Sequence, residues 1–159
     1  MKTILAMMAT ATLASAAMAQ TMTPTGYVAA AGAGDMYEKQ SSQLVLGTTK
    51  DAKVRQFAQM MIRDHDKSTA DVKVAAAKSG VRPASPRLNA DQASMIAQLK
   101  AAKGDARDST YLTQQKMAHE QALALHQGYA TSGTAPALKT VAANIAPVVQ
   151  HHIEMLQAM

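Results

Sequence analysis

Glu38, His65, His119, His126 and His152 each fall where the surrounding spacing calls for an apolar residue. Imidazole is a ligand for zinc, copper and iron, and helical bundles build their metal sites from inward carboxylates and imidazoles on facing helices. Glu38, His65, His119 and His152 together could hold one divalent transition-metal ion, although nothing in the sequence requires a cofactor. The other reading is structural: buried polar residues satisfied by one another, by Tyr hydroxyls, by backbone or by water. Carboxylate di-iron bundles carry Glu-x-x-His on two helices. That spacing is missing here, so a ferroxidase is not expected. The levels also count against a shared site. Helical rise puts Glu38 and His65 roughly 9 Å apart along the bundle, and His119 and His152 roughly 6 to 8 Å apart.

Other polar positions read as a supporting network. Asp64 adjoins His65, and neighbours on a helix point about 100° apart, so Asp64 is expected to pair with another helix or with a Lys. Asp108 reads as a helix cap, with Tyr111 turning inward one turn later. His151, beside His152, is expected to face solvent. The methionines outside the first nineteen residues are dispersed, which suits gap filling better than a thioether copper site. A haem slot would need a wider apolar space than an Ala-rich core with one Phe provides. No Gly-rich phosphate loop and no nucleophile elbow occurs, and there is no cysteine, so catalysis is not expected.

These residues must be positioned by helices. From Gly26 onward the chain is dominated by Ala, Leu, Val, Met, Gln, Lys and Asp, a helix-favouring composition. The pattern predicts a helix from about Tyr27 to a corner at Gly47, then one to Ser79 with Thr48 as its cap and Gly80 ending it. Pro83 and Pro86 break the next stretch. Asn89 and Gln92 form a capping pair for a short helix to about Lys103. Long helices follow from Asp108 to about Ser132 and from Pro136 to the C-terminus, with Pro147 as an internal kink. Apolar stripes through Val54, Ala58, Met61, Val72 and Ala76, and through Leu138, Val141, Ile145, Val149 and Leu156, give each helix one buried face. Ala31 and Gly34 are expected to allow close helix approach. The fold class is all-α: a four-helix bundle with a short crossover helix.

The first nineteen residues place this bundle. Lys2, an apolar run from about Ile4 to Ala17, and the small-x-small pattern Ala17-Met18-Ala19 read as a secretory signal peptide cleaved near Ala19. A mature chain of 20–159 forms one helical domain, located in the periplasm or secreted, with no transmembrane segment of its own. The full chain carries a net charge of +5. Lys53, Arg55, Lys67 and Lys73 are interleaved with Asp51, Asp64, Asp66 and Asp71, and there is no Trp. No basic stripe or stacking platform results, so nucleic acid is excluded as a partner.

The order of several motifs resembles a known family. They are Glu38 in a Met-Tyr-Glu segment, Val54-Arg55-Gln56-Phe57-Ala58-Gln59-Met60-Met61 leading to Asp64-His65, Asp108-Ser109-Thr110-Tyr111, Ala118-His119-Glu120, and Pro147 followed by His152. The chain resembles the bacterial exported family called domain of unknown function 4142, regarded as ferritin-like, across about Gly26 to Met159. It carries Arg107 where the family pattern has Phe. The resemblance implies a ferritin-like bundle at the cell envelope and brings no established activity. It marks Glu38, Asp64, His65, Asp108, Tyr111, His119 and His152 for testing. The leading expectation is a non-enzymatic binding or envelope and stress-associated module, partnered by an envelope protein or by itself. The alternative is a metal-binding bundle using the core His and Glu residues.

Overall fold

The computed structural model describes residues 22–159, all of whose regular elements are helices. The expected signal peptide and its cleavage point lie outside the described residues. Five helices follow in order: α1 (Pro24–Leu46), α2 (Ala52–Lys78), α3 (Ala90–Ala101), α4 (Asp105–Ser132) and α5 (Pro136–Gln157). α1 packs on α2 and α4, and α5 packs on α4 and α2, which closes a four-helix ring. α3 lies across α1 and α4. The architecture is a ferritin-like four-helix bundle with a short crossover helix.

Local chemistry sets the helix ends. Thr23 caps α1 by accepting from the Gly26 N–H, with Pro24 in the first turn where its missing donor costs nothing. Asp51 caps α2 through the Lys53 and Val54 amides. Thr48, expected in that role, donates instead to the Val45 carbonyl, because α2 starts at Ala52 and puts Thr48 in the preceding corner. Asn89 and Gln92 form a reciprocal capping box at the start of α3. α4 begins three residues before Asp108, after Gly104 at φ +55°. Asp108 is therefore not a cap. Its carboxylate lies inside the first turn and accepts from the Thr49 hydroxyl at 2.6 Å, tying α4 to the α1–α2 corner. Arg107 adds to that tie by donating to the Ala102 and Lys100 carbonyls and to Thr48.

The pairings Tyr27–His126, Tyr37–Gln114 and Ser42–Tyr111 show that α1 and α4 run antiparallel. α2 and α4 therefore run the same way, and residues 79–104 must carry the chain back along the bundle. α3 and the Pro83–Pro86 stretch make that return.

The core divides into two apolar clusters. One gathers Tyr27, Val28, Val72, Ala76, Tyr129, Leu138, Ala142 and Val149 near the start of α1. The other gathers Tyr37, Val45, Val54, Phe57, Met61, Leu99, Tyr111 and Leu156 near its end. Asp35, Glu38, His65, His119 and His152 are buried without belonging to either cluster and form a polar layer between them. Close approach is served by Gly32, where an added Cβ would meet the Pro86 ring at 3.3 Å. Gly34, expected to do this, faces open space and lines a cleft.

Among the glycines, the one at the corner between α4 and α5 has the least room for a side chain. A Cβ on Gly133 would come within 2.5 Å of the Tyr129 carbonyl oxygen and 2.6 Å of its ring, which stacks on Tyr27 with centroids 4.0 Å apart. Gly133→Ala is expected to destabilise the protein by about 1 to 3 kcal/mol through overpacking. Gly128→Ala, at an exposed helical position with nothing within 4 Å, is expected to stabilise it by about 0.5 to 1 kcal/mol. Urea unfolding of the two variants checks both signs.

Candidate metal centre

His65 comes from α2, His119 from α4 and His152 from α5, so the polar layer draws its imidazoles from three helices. Each follows the apolar stripe of its helix and is carried inward with it, leaving 7%, 1% and 1% of its surface exposed respectively. The ring centroids are 5.9 Å apart for His65 and His119, 6.0 Å for His65 and His152, and 5.3 Å for His119 and His152. One nitrogen of each ring lies within 4.8 Å of the other two. The level difference expected between His119 and His152 is thus closed by the bundle.

The remaining nitrogens are held by acceptors. His65 Nδ1 donates to Asp35 Oδ1 at 2.8 Å, His119 Nδ1 to the Gln115 carbonyl at 2.9 Å, and His152 Nε2 to Asp64 Oδ2 at 3.0 Å. A carbonyl or a carboxylate can only accept, so each partner fixes the hydrogen on the nitrogen that faces it. On each neutral ring the other nitrogen then carries a lone pair. Those nitrogens, His65 Nε2, His119 Nε2 and His152 Nδ1, are buried and have no hydrogen-bond partner. Carboxylate and carbonyl partners behind metal-binding imidazoles commonly orient the ring in this manner and raise its basicity. Phe57 lies beside the group, 6.2 Å from His119 and 6.4 Å from His152 between centroids, and supplies an apolar wall.

Glu38 stands apart from the three-nitrogen group. Its Oε1 lies 3.7 Å from His119 Nδ1, on the side of the ring that donates to Gln115, while Oε2 has no partner. His126 is also separate, sharing a 3.0 Å hydrogen bond with the Tyr27 hydroxyl. Tyr111 is fully buried and bonds Ser42 at 2.8 Å, and Asp108 bonds Thr49, so both lie in the second apolar region and at its end rather than at the imidazoles. His151 is exposed. Asp35 was the omission of the sequence reading. It shares the inward stripe of Ala31, Glu38 and Ser42, and that spacing was its signal.

Electrostatics separates the rings. Burial opposes charge on His65, but the Asp35 hydrogen bond and the Glu38, Asp35 and Asp64 carboxylates outweigh it, so its pKa rises. Burial, reinforced by His65 and His152, pushes His119 down to about 3. Burial also lowers His152 against the pull of Asp64. Burial raises Glu38 to about 7, held back by His65 and the Gln115 amide.

Two clefts converge on this layer, and His65 lines both. A cleft of about 300 Å³ between α2 and α5 is lined by Asp64, His65, Ser68 and His152. A larger one of about 520 Å³, bounded by α1, α3 and α4, reaches Asp35, Glu38 and His65.

Over residues 8–159 the chain matches the family described as Domain of unknown function (DUF4142), and it belongs to that family. No curated protein matches it in sequence. Its fold is similar to that of a Streptomyces coelicolor protein described as a secreted DUF305 protein, with a TM-score of 0.71 and 15% identity over 84% of this chain and 87% of that one.

The neutral buried imidazoles make stability fall in acid. His126 is lowered by burial from 6.5 to about 4, so the unfolded chain takes up its proton first as pH drops. Its contribution is intact above pH 6.5 and is lost progressively toward pH 4. Between pH 7 and pH 5 the wild type is expected to lose about 2 kcal/mol more than His126→Gln. Urea unfolding at the two pH values, compared between the proteins, measures the difference.

Proposed function

We propose that the protein is an exported helical bundle that binds one divalent transition-metal ion through His65, His119 and His152. The observation that carries this reading is the convergence of three buried imidazoles, each with one nitrogen oriented by an acceptor and the other without a partner. Three imidazoles at the end of a cleft suit Zn²⁺ or Cu²⁺, with a fourth position left for water or a small ligand reached from the α2–α5 cleft. Tetrahedral bonds of about 2 Å put ligand nitrogens about 3.3 Å apart, so binding draws the rings together by up to about 1.5 Å. Asp35 and Asp64 act as positioning residues that hold the His65 and His152 rings. Glu38 balances charge from beside His119 rather than ligating.

Export rests on the leader-like residues 1–19 and cleavage near Ala19, leaving 20–159 as one domain in the periplasm or outside the cell. No helix among the described residues is long and apolar enough to cross a membrane. The described secretion of the structurally similar protein agrees with that location.

The test uses protein purified from the periplasmic fraction, with its N-terminal mass measured, then stripped and titrated with Zn²⁺ and Cu²⁺. One ion per chain is expected, with a gain near 2.7 kcal/mol when free metal is about a hundred times Kd. His65→Ala and His119→Ala are expected to lose stoichiometric binding and the gain. Asp35→Asn and Asp64→Asn should weaken affinity about 10 to 100-fold. Glu38→Gln should keep the stoichiometry. Absence of binding in the wild type removes the metal reading and leaves a hydrogen-bonded polar layer.

A further inference from the structure

The cleft bounded by α1, α3 and α4 adjoins the three-histidine group at His65 but has a chemistry of its own. Asp35, Glu38 and Asp91 line it, and no Lys or Arg does, although the chain carries 16 basic against 11 acidic residues. At its inner end Glu38 is 3% exposed, and its Oε2 has no hydrogen-bond partner. An unpaired buried acceptor is costly, and a donor supplied from the cleft would remove that cost. Both Asp35 oxygens are already engaged, by His65 and Thr69, so Glu38 is the carboxylate left to make a new bond. Ala30, Ala33, Met95, Met117 and Leu125 give the lining a largely apolar surface, interrupted by neutral polar residues such as Gln92 and Gln121, and Tyr37 also lines the space.

We propose that this cleft binds a small organic ammonium ion, whose N–H groups donate to Glu38 while its apolar body lies along the alanine, methionine and leucine walls. A volume of about 520 Å³ is in the range of small-ligand pockets. A cation beside Glu38 gains a charge-assisted hydrogen bond, and the Tyr37 ring offers a favourable π-face contact. An anion of the same shape meets three carboxylates and no Lys or Arg, with only the His65 and His126 imidazoles against them. Gly34 opens the cleft, since nothing lies within 4 Å of where its Cβ would stand.

Benzylamine and benzoate, alike in size and opposite in charge, are titrated into metal-free protein in EDTA and followed by calorimetry and by methionine-methyl NMR. The amine is expected to bind saturably and to shift the Met95 and Met117 signals more than that of Met155, while benzoate does neither. Glu38→Gln and Gly34→Leu are each expected to weaken the amine at least tenfold, with unchanged helical circular dichroism. Gly34→Leu should also bind Zn²⁺ as the wild type does. No amine binding, equal binding of benzoate, Met155 shifting as much as Met95 and Met117, or Gly34→Leu binding the amine as well as the wild type would each overturn the proposal. Because metal is excluded, failure here leaves the three-histidine reading untouched, and failure of that reading leaves this one standing.

Discussion

The structure turns on a layer of imidazoles and carboxylates taken out of water halfway along the bundle. Removing such groups from solvent costs several kcal/mol unless each finds a partner. Here the cost is offset on both sides: Tyr27, Leu138 and their neighbours close one end of the core, and Phe57, Met61, Leu156 and theirs close the other. The hydrogen bonds that the rings donate to Asp35, the Gln115 carbonyl and Asp64 hold them between these clusters. Three helices are thereby fixed in register by side chains that contribute little to the apolar core.

The crossover decides how the layer meets solvent. Because α2 and α4 run the same way, the chain must return along the bundle, and α3 does so over the α1–α4 face. A twelve-residue helix cannot fill that face as a full-length helix would, and the space beside it is the acidic cleft. On the opposite seam α2 and α5 pack directly, and the narrower cleft there ends at Asp64 and His152. One layer is consequently approached from two sides with different chemistry.

Much of this was legible in the sequence, and the failures have physical causes. The stripes through Val54, Met61 and His65 and through Leu138, Val149 and His152 identified the buried faces, because helical spacing fixes the facing direction locally. The Asn89–Gln92 capping box was legible because both partners lie in one turn. Thr48 and Asp108 were misassigned as caps because several residues near a helix start can cap it. The long-range bonds that claim Asp108 and Arg107 cannot be read from a single strand of text. Counting residues from each corner placed His119 and His152 on different levels, since it treats a corner as having no extent along the bundle axis. Asp35 was missed for another reason: the sequence reading makes Glu38 the inward carboxylate of its helix, although Asp35 lies nearer the level of His65.

What separates a metal-binding layer from a purely structural one is the pairing of donors with acceptors. A layer that served only to fix register would match each lone pair with a hydrogen, and where it could not, apolar replacements of the same volume would be at least as stable. In this bundle every hydrogen fixed on a ring points outward to an acceptor-only group, and each ring keeps one buried nitrogen without a partner. Three such rings, with one nitrogen of each within 4.8 Å of the other two, suit a hydrogen-bond network poorly, because even with His65 protonated the rings have one hydrogen to share among three unpartnered nitrogens. They favour a cation, which accepts all three lone pairs at once. The orientation of the outer hydrogen bonds therefore supports the metal reading more strongly than the proximity of the rings does.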